Sequence, residues 1–455
     1  MNTVMRHLSG LLSGAAALAL LVSQPVRSET LGNALVSAYR NSNLLAQNQA
    51  VLRAADEDVA QTATALRPVV SWVLQSKYSK TLLGESTTNA LALNMDWELY
   101  DFGRNQLNRE AAKETVLATR QALIGVEQNV LLAAVSAYMD VRRTSQDVAN
   151  NRTSVRVIGE ELKATQDRFA VGEVTKTDVA LAEARLAAAR AALSAAEGSL
   201  DVARAAYKAA IGHDSDGKTS LPPKPAFPRT LDEAQSIAVR LHPAVLQAQH
   251  QAKASDLKYE LAKAQKRPSL GLNLQAGTTE FGDDASQGSI QLSQPLYTGG
   301  KLASGQRQAM AGRDAARAAL TQTGVGVQQQ VANAWSQIEV ARAQIGAIDQ
   351  QIVAAQSAYN GVKDEAALGA RTTLDVLDAE RELLDAQSSR TSAESSLQVA
   401  NYSLLAAMGL LTAENLKLGI PTYDPEAYYE AVKSAPALSV QGSKLDQVLK
   451  AIGKK

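Results

Sequence analysis

Leu91-Ala92-Leu93-Asn94-Met95-Asp96-Trp97-Glu98-Leu99-Tyr100-Asp101-Phe102-Gly103-Arg104 is the stretch that decides the fold. Up to Leu99 it alternates without a fault, with Leu91, Leu93, Met95, Trp97 and Leu99 on one face and Ala92, Asn94, Asp96 and Glu98 on the other. That is the period of a strand with one oily and one wet face. A partner strand lies just upstream, where Val70, Trp72, Leu74 and Tyr78 oppose Ser71, Gln75, Lys77 and Ser79 across a polar turn at 84–89. Downstream of Gly103 no proline occurs from Arg104 to Val171. The hairpin therefore turns a glycine corner into a helix of about 68 residues, about 100 Å long at 1.5 Å per residue.

The same text recurs some 200 residues on. Thr30-Leu31 matches Thr230-Leu231, Arg67-Pro68 matches Arg267-Pro268, and Leu74-Gln75 matches Leu274-Gln275. Past the strands the spacing settles at 197, pairing Leu99-Tyr100 with Leu296-Tyr297, Gly103 with Gly300, Gly172 with Gly369, Thr175 with Thr372, Asp178-Val179 with Asp375-Val376, and Gly212 with Gly409. Such self-similarity marks a duplicated unit of helix, β-hairpin, long helix and return helix. Residues 29–211 form the first repeat with its hairpin at about 69–101, and 231–411 the second with its hairpin at about 269–297. Residues 212–230 link them, and 412–455 form a tail with no counterpart.

Shorter helices are expected over about 31–66 and 175–211, and over about 231–266 and 372–409, with His242-Pro243 as the capping start of the second repeat's helix. Each short pair sums to nearly the length of a long helix, so it is expected to stack end to end beside one, giving two antiparallel double rods with both hairpins at one end. The return helices carry the packing code. Val179, Leu186, Leu193, Leu200 and Tyr207 fall seven apart, interleaved with Ala182, Ala189, Ala196, Ala203 and Ala210. Val376, Leu383, Leu397 and Leu404 repeat the pattern with Ala379, Ala386, Ala393, Ala400 and Ala407, interrupted by Arg390. This is a coiled-coil seam with a small-residue layer.

Composition agrees. Aromatics are 4% of the 455 residues and prolines few, which suits long packed helices, and 46 basic against 46 acidic side chains leave no footprint for nucleic acid. Arg6 and His7 precede an apolar run, Leu8 to Val22, broken by Pro25, so residues 1–28 read as a secretory signal peptide, the run falling short of the roughly 20 residues of a spanning helix. No other stretch reads as a membrane-spanning helix. The absence of cysteine excludes disulfides, thiol chemistry and a lipidated N-terminus. No metal or cofactor is expected: His7, His213, His242 and His250 lack ligand spacing, Gly324-Val325-Gly326 does not follow a strand, and neither a nucleophile elbow nor a phosphate loop is present. An exported chain of this kind is either soluble, its sheet covering helices, or enters a membrane as strands, and four alternating strands with Trp72 and Trp97 on the apolar side favour the second. Four strands cannot close a barrel, two copies would give a narrow filled one of about eight, and three would give about twelve strands and room for a lumen.

The corners Leu99-Tyr100-Asp101-Phe102-Gly103-Arg104 and Leu296-Tyr297-Thr298-Gly299-Gly300-Lys301, with the helix turns at 168–179 and 368–379, resemble the TolC family of outer-membrane export channels over residues 29–411. The resemblance implies a mainly α fold with transmembrane β structure, a trimeric twelve-strand barrel with four strands per chain continued by an α-helical coiled-coil barrel through the periplasm. It implies a homotrimer in outer-membrane lipid, a periplasmic adaptor (membrane fusion) protein and an inner-membrane pump of RND or ABC type as partners, and drugs or type I secreted proteins as cargo. The missing lipidation site resembles the unacylated branch. By position the resemblance also implies a periplasmic gate at Arg371, Thr177, Asp178 and Glu161, and a ring of carboxylates at the constriction from Asp375 and Asp378. One departure is Ala366, where the family's best-known pattern has tyrosine; another is Glu161 in place of an amide. The alternative reading is a periplasmic coiled-coil adaptor or scaffold, against which the paired amphipathic hairpins argue.

Overall fold

Thr30 and Thr230 open the two repeats as helix caps in the computed structural model, which describes residues 29–81, 84–215, 219–279, 282, 284–434 and 451. The expected signal peptide at 1–28 lies outside the described residues. Thr30 Oγ1 accepts from Asn33 N at the start of α1 (Leu31–Asn41), and Thr230 Oγ1 from Glu233 N at the start of α5 (Leu231–Leu241), both at 3.3 Å. Where one helix is expected in each repeat, the structure has two. Ser42 and His242 adopt extended backbone and re-cap α2 (Asn43–Thr64) and α6 (Pro243–Ala264). For His242 the cause is its neighbour: the residue before proline is pushed out of the helical region, while proline suits the first helical position. His242 Nδ1 accepts from Ala244 N at 3.1 Å. His242-Pro243 is thus a cap, but of the second helix in its repeat.

The strands β1 (Val69–Thr81), β2 (Gly84–Tyr100), β3 (Ser269–Thr279) and β4 (Asp284–Ser293) form one antiparallel sheet in the order β1-β2-β3-β4. Register carries one apolar face across all four: Trp72 pairs with Leu93, Val70 with Met95, Met95 with Leu274, Trp97 with Leu272, and Leu272 with Ile290. Ser71, Asn94, Gln275 and Gln287 run across the other face. Trp72 and Ile290 are 72% and 71% exposed in the single chain, so the oily face is uncovered by the protein itself.

Corners lead from the sheet into the long helices. Asp101 caps α3 (Arg104–Ala170), accepting from Gly103 N at 3.0 Å and from Asn105 N. At the other corner Thr298 stands in this place ahead of α7 (Lys301–Ala367), its Oγ1 accepting from Leu302 N. Each long helix has 67 residues. The return helices are α4 (Lys176–Ile211) and α8 (Thr373–Ala407). Helices α1, α2 and α4 lie along α3, helices α5, α6 and α8 along α7, and α3 also packs against α6 and α8. The seam is buried at Ala182, Leu186, Leu200 and Tyr207, and at Val376, Leu383, Ala386 and Leu404, while Arg390 reaches Asp349 on α7 at 2.8 Å.

The core sits at the waist, where Leu131, Tyr138 and Met139 of α3 meet Tyr207 and Ile211 of α4 and Leu404, Met408 and Leu411. There the linker is pinned: Tyr138 Oη lies 2.8 Å from the carbonyls of both Glu29 and Ser220. One window of α3 is apolar enough by composition to cross a membrane, against the sequence expectation; the helix instead supplies Leu131, Ala134, Val135 and Tyr138 to this core.

The tail to Ser434 is a strap. Its helix α9 (Pro425–Val432) lays Tyr428 and Val432 on Ala60 of α2, and Tyr428 Oη donates to Glu57 at 2.9 Å. Asp56, beside Tyr423 and Tyr428, is wholly buried with neither carboxylate oxygen hydrogen-bonded. Burial pushes its carboxyl from 3.8 up to about 6, against the pull of Arg120. The folded strap therefore binds the proton more tightly, so its stability is full at low pH and is lost as pH rises through about 6, by on the order of 3 kcal/mol. Amide exchange over 423–432, corrected for intrinsic rates, is expected to show protection falling as pH rises from about 4 to about 6 and levelling above that, and Asp56→Asn to hold it constant. Protection independent of pH in the unaltered protein would refute this.

Candidate gate at the helical tip

At the end remote from the sheet, α3 and α7 stop alike. Gly172 and Gly369 take left-handed backbone (φ 82° and 77°), the N–H of Glu173 returns to Arg168 O at 3.0 Å, and that of Ala370 to Glu365 O at 2.9 Å. These are Schellman-type endings, which the pairing of glycines predicts. The following helices start alike too. Thr175 Oγ1 accepts from Asp178 N at 3.3 Å while Asp178 Oδ2 accepts from Thr175 N at 2.8 Å; Thr372 and Asp375 repeat the box at 3.3 and 2.9 Å. The bonds from the Thr175 and Thr372 amides hold both carboxyls below the usual carboxylate range, with Arg371 adding to the effect at Asp375.

The expected gate residues thus have definite places. Asp178 and Asp375 serve as reciprocal caps, each with one oxygen engaged. Asp378 accepts from Arg185 Nη2 of α4 at 2.5 Å, so its charge is balanced within the chain. Thr177 is exposed on the first turn of α4. The guanidinium of Arg371 donates to Glu365 Oε2 at 2.8 Å, and this bond raises its already high pKa, with a further contribution from the Asp375 carboxylate. Within the chain, then, its hydrogen bond goes to the end of its own hairpin. Glu161 half-faces solvent and adds its field to Tyr359 of α7, whose phenol pKa is raised by burial first and then by Glu380, Glu161 and Glu160. Ala366 is buried.

Sequence reasoning missed the bonds that join the two hairpins. Thr165 of α3 donates to Thr373 of α8 at 3.3 Å, both buried. Leu377 packs on Ile158, Ala182 and Leu186. Glu380 of α8 takes a hydrogen bond from Ser154 of α3. Arg185-Asp378 closes the set on the α4 side. The heptad pattern marked Leu186 and Ala182, but which polar neighbour meets which across hairpins depends on helix phase, which spacing within one helix does not carry. Chemically the tip holds no nucleophile or metal set among the described residues; it is a contact of two hairpins closed by a few polar bonds and one small apolar cluster.

Comparison with known proteins gives this geometry its context. The family model described as outer membrane efflux protein matches residues 34–213 and 236–410, one segment per repeat. The outer membrane efflux protein BepC of Brucella suis is 35% identical over 432 residues, 93% of this chain and 94% of that protein. TolC of Vibrio cholerae is 25% identical across 88% of this chain and 95% of its own, and the alkaline protease secretion protein AprF of Pseudomonas aeruginosa 23% across 70% and 68%. Among solved structures, CusC superposes with a TM-score of 0.74 at 18% identity, covering 83% of this chain and 91% of its own. The Campylobacter jejuni CmeC outer membrane channel gives 0.74 at 16% identity, over 90% of both chains.

Proposed function

Since the chain belongs to the outer membrane efflux protein family and is an export channel of the outer membrane, we propose that three copies close one barrel of about twelve strands and continue it as a helical tunnel through the periplasm. The observation that carries this is the sheet. Its outer strands β1 and β4 each pair on one side only within the described residues, and its apolar face runs unbroken from one to the other. Unpaired edges call for a neighbour, two copies would leave no lumen, and an isologous pair would not thread a channel. After loss of residues 1–28 each chain brings the repeats 29–211 and 231–411, one hairpin apiece. Mass measurement of the detergent-extracted protein is expected to give a trimer; a monomer or dimer as the conducting species would remove the proposal.

The tip is the periplasmic entrance in this reading, offered to an adaptor (membrane fusion) protein and an inner-membrane pump of RND or ABC type. Relatives named for antibiotic efflux and for alkaline protease secretion support both drugs and proteins as cargo. Arg371, Thr177, Asp178 and Glu161 act as the latch between neighbouring hairpins, and Asp375 with Asp378 as the acidic ring. Three residues apart on α8, these two carboxylates share a face that symmetry would gather at a narrow opening, and because Arg185 already balances Asp378 the preference for cations rests chiefly on Asp375. Because Asp375 is also the N3 partner in the capping box of α8, replacement by Ala would weaken that helix start, so charge is better removed by Asn. Asp375→Asn with Asp378→Asn is expected to lower cation preference in planar bilayers; selectivity surviving both changes would reassign the ring while leaving the channel intact.

A further inference from the structure

Glu380 is 5% exposed, and one of its carboxylate oxygens, Oε2, has no hydrogen-bond partner. It lines a cleft of about 400 Å³ where α8 of one hairpin meets α3 and α4 of the other, with Ser154, Ile158 and Arg185 on the far walls. The charges facing it are already matched. Arg185 of α4 is bound to Asp378, Arg381 of α8 reaches Asp385 at 3.7 Å, and Arg156 of α3 holds Glu160 at 2.9 Å. Glu161 of α3 and Tyr359 of α7 complete the surroundings and bring no positive charge. A carboxylate buried without a cation is costly, and parting the surfaces that bury it hydrates it.

We infer that Glu380 biases the tip towards opening: its ionised carboxylate, buried only while α8 lies on α3, drives the α7–α8 hairpin outwards, and protonation lets the hairpin rest closed. The inference rests on the gate reading above. Burial raises the proton affinity of the closed state, so opening releases a proton and the open fraction rises with pH. The parting that frees Glu380 also breaks Thr165-Thr373 and Arg185-Asp378. Those bonds hold the tip shut, and the buried charge works against them.

Single-channel recording from pH 5 to 8 tests this. The unaltered channel is expected to open more readily as pH rises across that range, by more than about twofold in open fraction, because the buried carboxyl gives up its proton on opening. Glu380→Gln keeps the shape and the Ser154 bond, and is expected to hold opening at its low-pH level with less than about twofold change; Glu380→Leu should behave alike without relying on the amide. A companion variant separates the two readings. Thr165→Cys with Thr373→Cys places sulfurs where hydroxyl oxygens stand 3.3 Å apart in a chain without native cysteine, within reach of a disulfide. Opening abolished by oxidation and restored by dithiothreitol establishes the tip as gate, and an unchanged pH profile in both Glu380 variants then overturns the role of Glu380 alone. A disulfide-linked channel that opens freely overturns the gate reading and this inference with it.

Discussion

Gly409→Ala is expected to prevent the chain from reaching a heat-resistant assembled form. Gly409 follows α8 in left-handed backbone (φ 79°), and a Cβ there would stand 2.7 Å from His242 Cα, 2.9 Å from Leu241 O and 3.0 Å from His242 N. All three atoms belong to the backbone at the break between α5 and α6, so no side chain can swing aside. The left-handed conformation alone costs a residue with a Cβ about 1–2 kcal/mol, and moving two helix ends apart in a close-packed waist adds about 1–3 more. Gly212, its counterpart (φ 97°), would meet Asn41 at 2.5 to 2.8 Å, a side chain that also donates to Ile211 O. Gly172 at the tip has φ 82° and nothing within 4 Å. The expected order of damage is therefore Gly409, then Gly212, then Gly172, read from the temperature at which oligomers dissociate in detergent. Equal effects at all three would show that backbone conformation, not contact at the waist, sets the loss.

That ordering also explains why so much of the fold was legible in the sequence. The residues matched between repeats are mostly punctuation: Thr30 and Thr230 cap helices, Gly172 and Gly369 end them, Thr175-Asp178 and Thr372-Asp375 form capping boxes, and Gly212 and Gly409 turn the chain at the waist. Alternation in 91–99 likewise dictates register, because a slip of one residue would turn Trp97 and Leu93 to the wet face. The break at Ser42 was not legible, since serine there is compatible with a continuing helix, whereas Pro243 betrays its counterpart. Nor was the strap: Tyr428 and Val432 find Ala60 far away in sequence, and nothing local to 425–432 announces that surface. At the tip, the named positions were visible through resemblance and their partners were not. Asp378 to Arg185, Thr165 to Thr373 and Glu380 to Ser154 join elements whose mutual rotation only the packed structure sets.

If the proposed latch holds, Arg371→Ser is expected to raise the open fraction, the small effect of each exposed ion pair being multiplied by the number of copies. Its guanidinium is about half exposed, bonded to Glu365 at 2.8 Å, and lies in the field of Asp375. Two accounts of such a residue differ in outcome. As a brace within its own hairpin, Arg371 acts through Glu365, and Glu365→Gln should then open the channel as much as Arg371→Ser. As a latch to a neighbouring hairpin, Arg371 is partly diverted by Glu365, and Glu365→Gln should leave conductance at or below that of the unaltered channel while Arg371→Ser raises it. Lysine separates charge from shape: it keeps the positive charge but not the planar fork of donors, so Arg371→Lys is expected to fall between the two. Planar bilayer conductance reads the change in the isolated channel, and sensitivity of cells to large antibiotics reads its consequence for permeation in the cell. Conductance unmoved by any of the three changes would place the restraint in the α3–α8 contacts at Thr165, Leu377 and Glu380 instead.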